Sequence, residues 1–173
     1  LSLGDFDVVG ISLQSELNYI NVPYQLYLAG IPLRASRREQ DDPIILGGGP
    51  CTANPEPDAD FFDAILIGDA EPALDEILDV IRDARRDGIE RTETLRRLAR
   101  VRGVYVPTLY HWSPRSTDEP ARWRGSDGSD PLPVQRVWAE LLNPADQPGV
   151  PIVPFADVIQ DRLGMEIMRG CTQ

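Results

Sequence analysis

The sequence has 173 residues, of which 42% are hydrophobic, so it can build the core of one ordinary domain, or of one domain and part of another. The formal net charge of −11 argues against a nucleic-acid partner, because binding to phosphates requires a basic surface. Since no run of about 18 apolar residues and no basic-then-apolar leader occurs, we expect neither a membrane span nor a secretory signal, and the two cysteines favour a cytoplasmic, reducing compartment.

Three short apolar runs predict the strands of a parallel sheet. They are "DFDVVGISL" (5–13), residues 44–46 and residues 64–67. Stretches with helical spacing lie between or after them. This alternation predicts the α/β class, with an open parallel sheet that is flanked by helices.

Capping and stop signals predict three helices in the same part of the chain. The first has Asn21 as its N-cap and stops at Gly30. The second ends at Gly88, and its predicted buried face consists of Leu74, Ile77, Leu78 and Ile81. The third has Thr92 as its N-cap.

The pattern changes beyond residue 103, which divides the chain into three predicted parts. Residues 1–103 form the α/β domain. Residues 104–150 are expected to form a β hairpin and linker, in which "GVYVPTLYHW" (103–112) pairs antiparallel with "VQRVWAEL" (134–141) across a polar loop. Residues 151–173 are expected to hold a further linker and the start of another domain.

A polar or glycine-rich turn follows each predicted strand. Ser12 ends the first strand, Gly48 and Gly49 follow the second, and residues 68–71 follow the third. In an open parallel sheet, ligands bind beyond the carboxyl ends of the strands, and glycines let a flat ligand or a phosphate approach the backbone. The alternative is that these glycines only make tight turns. The dinucleotide and Walker fingerprints are absent.

The order of these turns resembles a known domain. "GGGPCTANPEPDADFFDAILIGDAEPAL" (47–74) runs Gly-Gly-x-x-x-x-x-Pro-Glu and then Gly-Asp-x-Glu, similar to the second half of the cobalamin-binding domain at the front of many radical S-adenosylmethionine enzymes. "SLQSELNYINVPYQLYLAGIPLRA" (12–35) resembles one poorly characterised bacterial branch of that superfamily. The resemblance implies a flavodoxin-like cobalamin fold, whose cofactor-binding residues would be Ser12, Gly48, Gly49, Gly68, Asp69 and Glu71.

Two departures from that family qualify the expectation. The Asp-x-His-x-x-Gly loop whose histidine binds cobalt is absent, and the only histidine, His111, is expected on a surface or hairpin. Cobalamin would therefore bind without a histidine ligand, or the domain keeps the fold without the cofactor. The chain also begins shortly before what resembles the third strand of the fold, so we expect the first two strands to be missing.

The last residues resemble the entrance to a radical S-adenosylmethionine barrel. "MEIMRGCTQ" (165–173) is similar to the first strand of a partial (β/α) barrel followed by Arg-Gly-Cys, which implies Cys171 as the first of three cysteine ligands of a [4Fe–4S] cluster that binds S-adenosylmethionine. The other two cysteines are expected at the fourth and seventh positions after Cys171, so the chain would be a fragment. The alternative is an ordinary cysteine. Cys51 is expected to be buried and inert.

Three functions follow from these readings. The first is the N-terminal part of a radical S-adenosylmethionine enzyme, whose partners are small-molecule cofactors and its own downstream barrel; the fragment alone would not catalyse. The second is a non-catalytic docking or gating module that has lost cobalamin. The third is an unrelated flavodoxin-like domain that binds a phosphate or flavin, against which the Pro-Glu and Arg-Gly-Cys motifs argue.

Overall fold

A computed structural model describes residues 1–115, 117, 122–126 and 133–139 of the chain. These residues belong to one compact unit that spans residues 1–140. The strands and α-helices of this part, in chain order, are β1 (Val8–Ser12), α1 (Asn21–Leu28), β2 (Ile44–Gly48), β3 (Ala64–Leu66), α2 (Leu74–Arg86), α3 (Arg91–Leu98), β4 (Val104–Tyr105), β5 (Tyr110–Ser113) and β6 (Arg122–Gly125). None of the helices within these ranges is long and apolar enough to cross a membrane.

The main sheet has four strands in the order β1-β2-β3-β4. β1, β2 and β3 are parallel, with Val8 opposite Ile44 and Leu46 opposite Ala64. The predicted α/β class with an open sheet flanked by helices is confirmed. The sheet is not parallel throughout, because its fourth strand, β4, pairs antiparallel with β3. Two helices rather than one connect β3 to β4, so the chain returns to the sheet at the opposite end.

Alternate side chains along the strands belong to two hydrophobic cores, one on each face of the sheet. In β2, Ile44 and Leu46 belong to the core beneath α2 and α3, whereas Ile45 belongs to the core beneath α1. Both faces of β2 are therefore covered, as the continuous apolar run predicts.

The helix boundaries correct two predicted caps and one predicted face. Asn21 is the first residue of α1 and not its N-cap. The helix α3 begins at Arg91 instead of being capped by Thr92, because the Oε1 atom of Gln40 accepts a hydrogen bond from the Arg91 amide at 2.6 Å. In α2, the buried face runs through residues 77, 81 and 84, while the predicted Leu74 and Leu78 are 37% and 41% exposed.

A buried ion cluster holds the amino end of β3. Asp63 is fully buried, and its Oδ2 atom accepts hydrogen bonds from Arg38 Nη1 at 2.7 Å and from the Ile45 amide at 2.8 Å. Arg91 Nη2 lies 2.9 Å from the other oxygen, as an ion pair. Burial lowers the pKa of Arg38. The cluster joins a loop, β2 and α3 to the start of β3, so its role is structural.

The predicted hairpin exists with a different second strand. β5 pairs antiparallel with β6, and the rings of Trp112 and Trp123 stack edge to face at 5.5 Å across it. The prediction that residues 134–141 form the second strand of this hairpin is wrong. Val137 instead forms a parallel bridge with Gly68, beyond the end of β3. The exposed His111 lies on β5, which confirms its predicted place on a hairpin.

Candidate functional site

The carboxyl ends of the three parallel strands lie at one end of the sheet. Ser12 is opposite Gly48, and Gly47 is opposite Ile65 one strand further on. The predicted turns after β2 and β3 therefore follow neighbouring strands and lie side by side. We call this end of the sheet, with the turns and side chains around it, the carboxyl-end site.

The turn after β2 is shaped by the chain that leaves β1. Gly49 has a φ of 99°, and a Cβ there would lie 2.9 Å from the carbonyl oxygen of Leu13. The Leu13 amide donates to the carbonyl of Gly48 at 2.7 Å, and the Cys51 amide donates to the carbonyl of Leu13 at 3.1 Å. The glycine at position 49 is thus required by a close approach of backbone within the chain. Gly48 differs, because a Cβ there would meet nothing within 4 Å.

Thr52 fixes this turn to the neighbouring strand. Its hydroxyl is within hydrogen-bond distance of two carbonyl oxygens, at 2.8 Å from Gly49 and 2.9 Å from Leu66. Thr52 is 1% exposed, so the link is sheltered from water. The turn after β2 is therefore tied directly to the last residue of β3.

The chain's own backbone occupies the turn after β3. Gly68 has a φ of 124°, and a Cβ there would overlap the carbonyl group of Val137. The Val137 amide donates to the carbonyl of Ile67 at 3.1 Å, and the Asp69 amide donates to the carbonyl of Val137 at 2.9 Å. A carboxylate oxygen of Asp69 accepts from the Ala139 amide at 2.9 Å. The space that a flat ligand would need at Gly68 is filled by residues 137–139.

Of the remaining predicted residues, the structure describes Glu71 and Cys51 but not Cys171. Glu71 is exposed just beyond the filled turn. Cys51 is half-buried and a free thiol, and not the fully buried residue that was expected. Cys171 lies outside the described residues. Within the described ranges, no group of three or more histidine, cysteine or acidic side chains is arranged to hold a metal ion.

A tyrosine and a glutamate that were not predicted as site residues meet at the carboxyl-end site. The hydroxyl of Tyr105 donates to Glu56 Oε1 at 2.7 Å. The pKa of Tyr105 is strongly raised, mainly because the hydroxyl is buried and secondly because of this hydrogen bond. The ring of Tyr110 lies 5.1 Å from that of Tyr105. Glu56 belongs to the Pro-Glu motif of the sequence, which was the one available signal.

Asp58 is the most unusual polar group in this region. It is 5% exposed, and its Oδ2 atom has no hydrogen-bond partner among the described residues. Burial raises the pKa of Asp58. Tyr19, whose hydroxyl lies 3.5 Å from the carbonyl of Cys51, has its own pKa raised by burial first and by the nearby Cys51, Glu16 and Asp58 next. Their three-dimensional proximity is not visible in the sequence.

These residues do not fit the corrin-binding arrangement that the sequence resemblance implies. That arrangement needs two open glycine turns, and one of the two is filled by Val137. No imidazole replaces the missing cobalt ligand at this end of the sheet, since His111 is exposed on the hairpin. The site offers instead a carboxyl group, a Tyr–Glu hydrogen bond and one accessible glycine, Gly48.

Comparison with known proteins gives one match. A family model described as "Radical SAM proteins, N-terminal" matches residues 1–107. Neither the search of curated proteins nor the search of solved structures found a match.

Proposed function

Because the chain belongs to the family of N-terminal domains of radical SAM proteins, we propose that it is the N-terminal part of a radical S-adenosylmethionine enzyme. In this proposal residues 151–173 lead into the barrel, and Cys171 is the first ligand of a [4Fe–4S] cluster. The family match over residues 1–107 is the observation that carries the proposal. The Arg-Gly-Cys motif at 169–171 supports it, since it follows the matched domain in the order expected of such enzymes.

The cluster would supply the chemistry, and this chain would supply its first anchor. Such a cluster, with one iron left open by its three cysteines, would bind S-adenosylmethionine and supply the electron for its reductive cleavage. A cysteine serves as ligand because its thiolate is soft and anionic. We do not assign Cys51 as a second ligand, because it stands 120 positions before Cys171 in the chain (171 − 51) and not at the short loop spacing expected of the cluster cysteines.

Anaerobic reconstitution of the intact parent protein with iron and sulfide tests this proposal. We expect [4Fe–4S] absorption and cleavage of S-adenosylmethionine in the unaltered protein, loss of both in Cys171→Ala, and retention of both in Cys51→Ala. A Cys171→Ala protein that keeps its cluster and its cleavage activity would contradict the proposal.

For the domain itself, we propose a docking or gating role towards the downstream barrel in preference to cobalamin binding. The specific observation that favours this role is the filled turn at Gly68. Asp69 holds residues 137–139 in that turn, and those residues precede the proposed barrel in the chain. A bound or released 137–139 segment could thus transmit the state of the carboxyl-end site to the barrel.

A further inference from the structure

Two glycines form a slot that holds one residue of a later segment. At Gly68 a Cβ would overlap the carbonyl group of Val137, and at Gly103, which has a φ of 85°, a Cβ would lie 2.8 Å from the Val137 side chain. The Leu66 side chain borders the same space. Two positions without a side chain thus make room for Val137. We call this space the glycine slot, and residues 137–139 the strap.

The backbone of the strap binds as an added strand does. Val137 forms a parallel bridge with Gly68. The Val137 amide donates to the carbonyl of Ile67, and the Val137 carbonyl accepts from the amide of Asp69. Both backbone groups of the inserted residue are therefore paired, as they are in peptides that extend the edge of a sheet.

The side chains of the strap meet three different surroundings. Val137 is 4% exposed and joins the core beneath α2 and α3. The Trp138 ring lies 5.4 Å from the guanidinium carbon of Arg102, within the range of a cation–π contact. The amide of Ala139 donates to the carboxylate of Asp69. The slot therefore fits an extended chain in which an aliphatic residue precedes an aromatic one.

Fewer contacts hold the strap than hold the strands of the sheet. β1 and β2 pair at five positions, whereas the strap pairs at one. Among the described residues 133–139, only Val137 is buried. One buried side chain and three hydrogen bonds oppose the conformational entropy that is lost when this segment is ordered. We therefore expect the strap to leave the slot at a much lower free energy than the domain unfolds.

We propose that the glycine slot is a strand-addition site for an extended peptide, and that the strap is its tethered, exchangeable ligand. The inference rests on the docking role proposed above, to which it adds the chemistry that is recognised: an aliphatic residue followed by an aromatic one. The bound strap fills the turn at Gly68, and a released strap leaves that turn open. Because the tether keeps the strap at a high effective concentration, a free peptide competes well only once the strap is weakened.

Fluorescence polarisation with a labelled peptide tests the proposal on the 173-residue chain. The probe has the sequence of residues 134–139, Val-Gln-Arg-Val-Trp-Ala, with a fluorophore at its amino end and an amide at its carboxyl end. Val137→Asp should release the strap, because a carboxylate is costly to bury in an apolar slot. This variant should bind the probe about tenfold or more tightly than the unaltered chain, whose strap competes for the slot.

Ala139→Pro is a second release variant that leaves the core unchanged. It removes the amide that donates to Asp69, so it should also strengthen binding of the probe, by a smaller factor. Thermal unfolding should show that both release variants fold.

A further substitution in the Val137→Asp chain shows where the probe binds. Gly68→Ala should abolish binding, because the added methyl would occupy the place of the incoming carbonyl. Gly48→Ala is the matched control and should leave binding unchanged, since a Cβ there meets nothing within 4 Å. A probe with aspartate in the place of its second valine should not bind.

Three results would overturn the proposal. The first is no saturable binding of the probe to folded release variants. The second is loss of cooperative unfolding in both release variants, which would make the strap a fixed part of the fold. The third is binding that survives Gly68→Ala, which would place the peptide elsewhere. These measurements use neither the cluster nor S-adenosylmethionine, so they can fail while reconstitution of the parent protein succeeds, and the reverse.

Discussion

The two ends of the sheet are closed by different means. At the amino end, the buried charge of Asp63 is matched by Arg38 and Arg91. At the carboxyl end, the backbone of Val137 fills the turn at Gly68, and Asp58 is buried with one oxygen unpartnered among the described residues. Both ends therefore keep a buried polar atom without a hydrogen-bond partner among the described residues, Arg91 Nε at the amino end and Asp58 Oδ2 at the carboxyl end. They differ in that the amino end pairs its buried carboxylate, Asp63, with arginine side chains. The carboxyl end, where the predicted turns follow neighbouring parallel strands, is the candidate functional site.

The largest effect is expected at the amino end. Asp63→Asn removes the carboxylate that both arginines face, and leaves Arg38, whose side chain is 0% exposed, without its counter-charge. Removing one partner of a buried ion pair costs about 3–5 kcal/mol of unfolding free energy, because the remaining charge stays desolvated. Urea unfolding followed by circular dichroism measures this loss.

The matched control is Asp60→Asn, which breaks the exposed pair of Asp60 and Arg34 at 2.6 Å. Exposed pairs contribute about 0–1 kcal/mol, so this variant should unfold close to the unaltered chain. Equal losses from the two substitutions would mean that the Asp63 cluster is not the scaffold described here.

A smaller effect is expected from Gly68→Ala at the carboxyl end. The added methyl would overlap the carbonyl of Val137 and requires a φ that alanine rarely adopts. We expect a loss of about 1–3 kcal/mol, the usual scale of such backbone strain, together with release of residues 137–139. Thermal unfolding measures the first, and mass spectrometry of tryptic cleavage after Arg136 measures the second.

Gly48→Ala provides the comparison for that variant, since its Cβ would have no neighbour within 4 Å. It should leave both the unfolding temperature and the cleavage after Arg136 nearly unchanged. If Gly68→Ala behaves in the same way, Val137 does not close the turn after β3.

The smallest effect is expected from Asp58→Asn, and it depends on pH. Burial raises the pKa of Asp58, so its neutral form is favoured in the folded state. The folded chain then loses stability as the pH rises from the ordinary carboxyl pKa of about 4 through the raised value. Asparagine avoids this penalty, so the variant should have the higher melting temperature at pH 7, and the difference should vanish near pH 4.

A melting temperature at pH 7 that is lower for Asp58→Asn would contradict this expectation. It would show that the folded state stabilises the carboxylate of Asp58, and hence that a cation or a donor satisfies the Oδ2 atom.

Local rules account for the parts of the fold that were predicted correctly. The apolar runs and helical spacings suffice to predict the strands β1 to β3, because both patterns report burial directly. The same rules failed at α3, whose first amide is bonded to Gln40, a residue 51 positions earlier in the chain. They also failed at Val137, which joins the sheet through its backbone and needs no strand-like pattern around it.

Sequence could predict only those features of the candidate site that follow from the parallel order of the strands. Ser12 and the two glycine turns share one end of the sheet because parallel strands end together. The reason for the glycines was not predictable, since Gly49 and Gly68 make room for Leu13 and Val137. Asp58 was missed as well, because its burial is a property of the folded core and not of its sequence neighbours.

The claim that the carboxyl end is closed by the chain itself has one direct test, the titration of hydroxocobalamin into the intact parent protein and into the 173-residue chain. We expect no change in the cobalamin absorbance and no retention in equilibrium dialysis, because residues 137–139 occupy the turn at Gly68. Stoichiometric binding that is lost in Gly48→Val would contradict the claim, and would show that a corrin reaches the glycine turns.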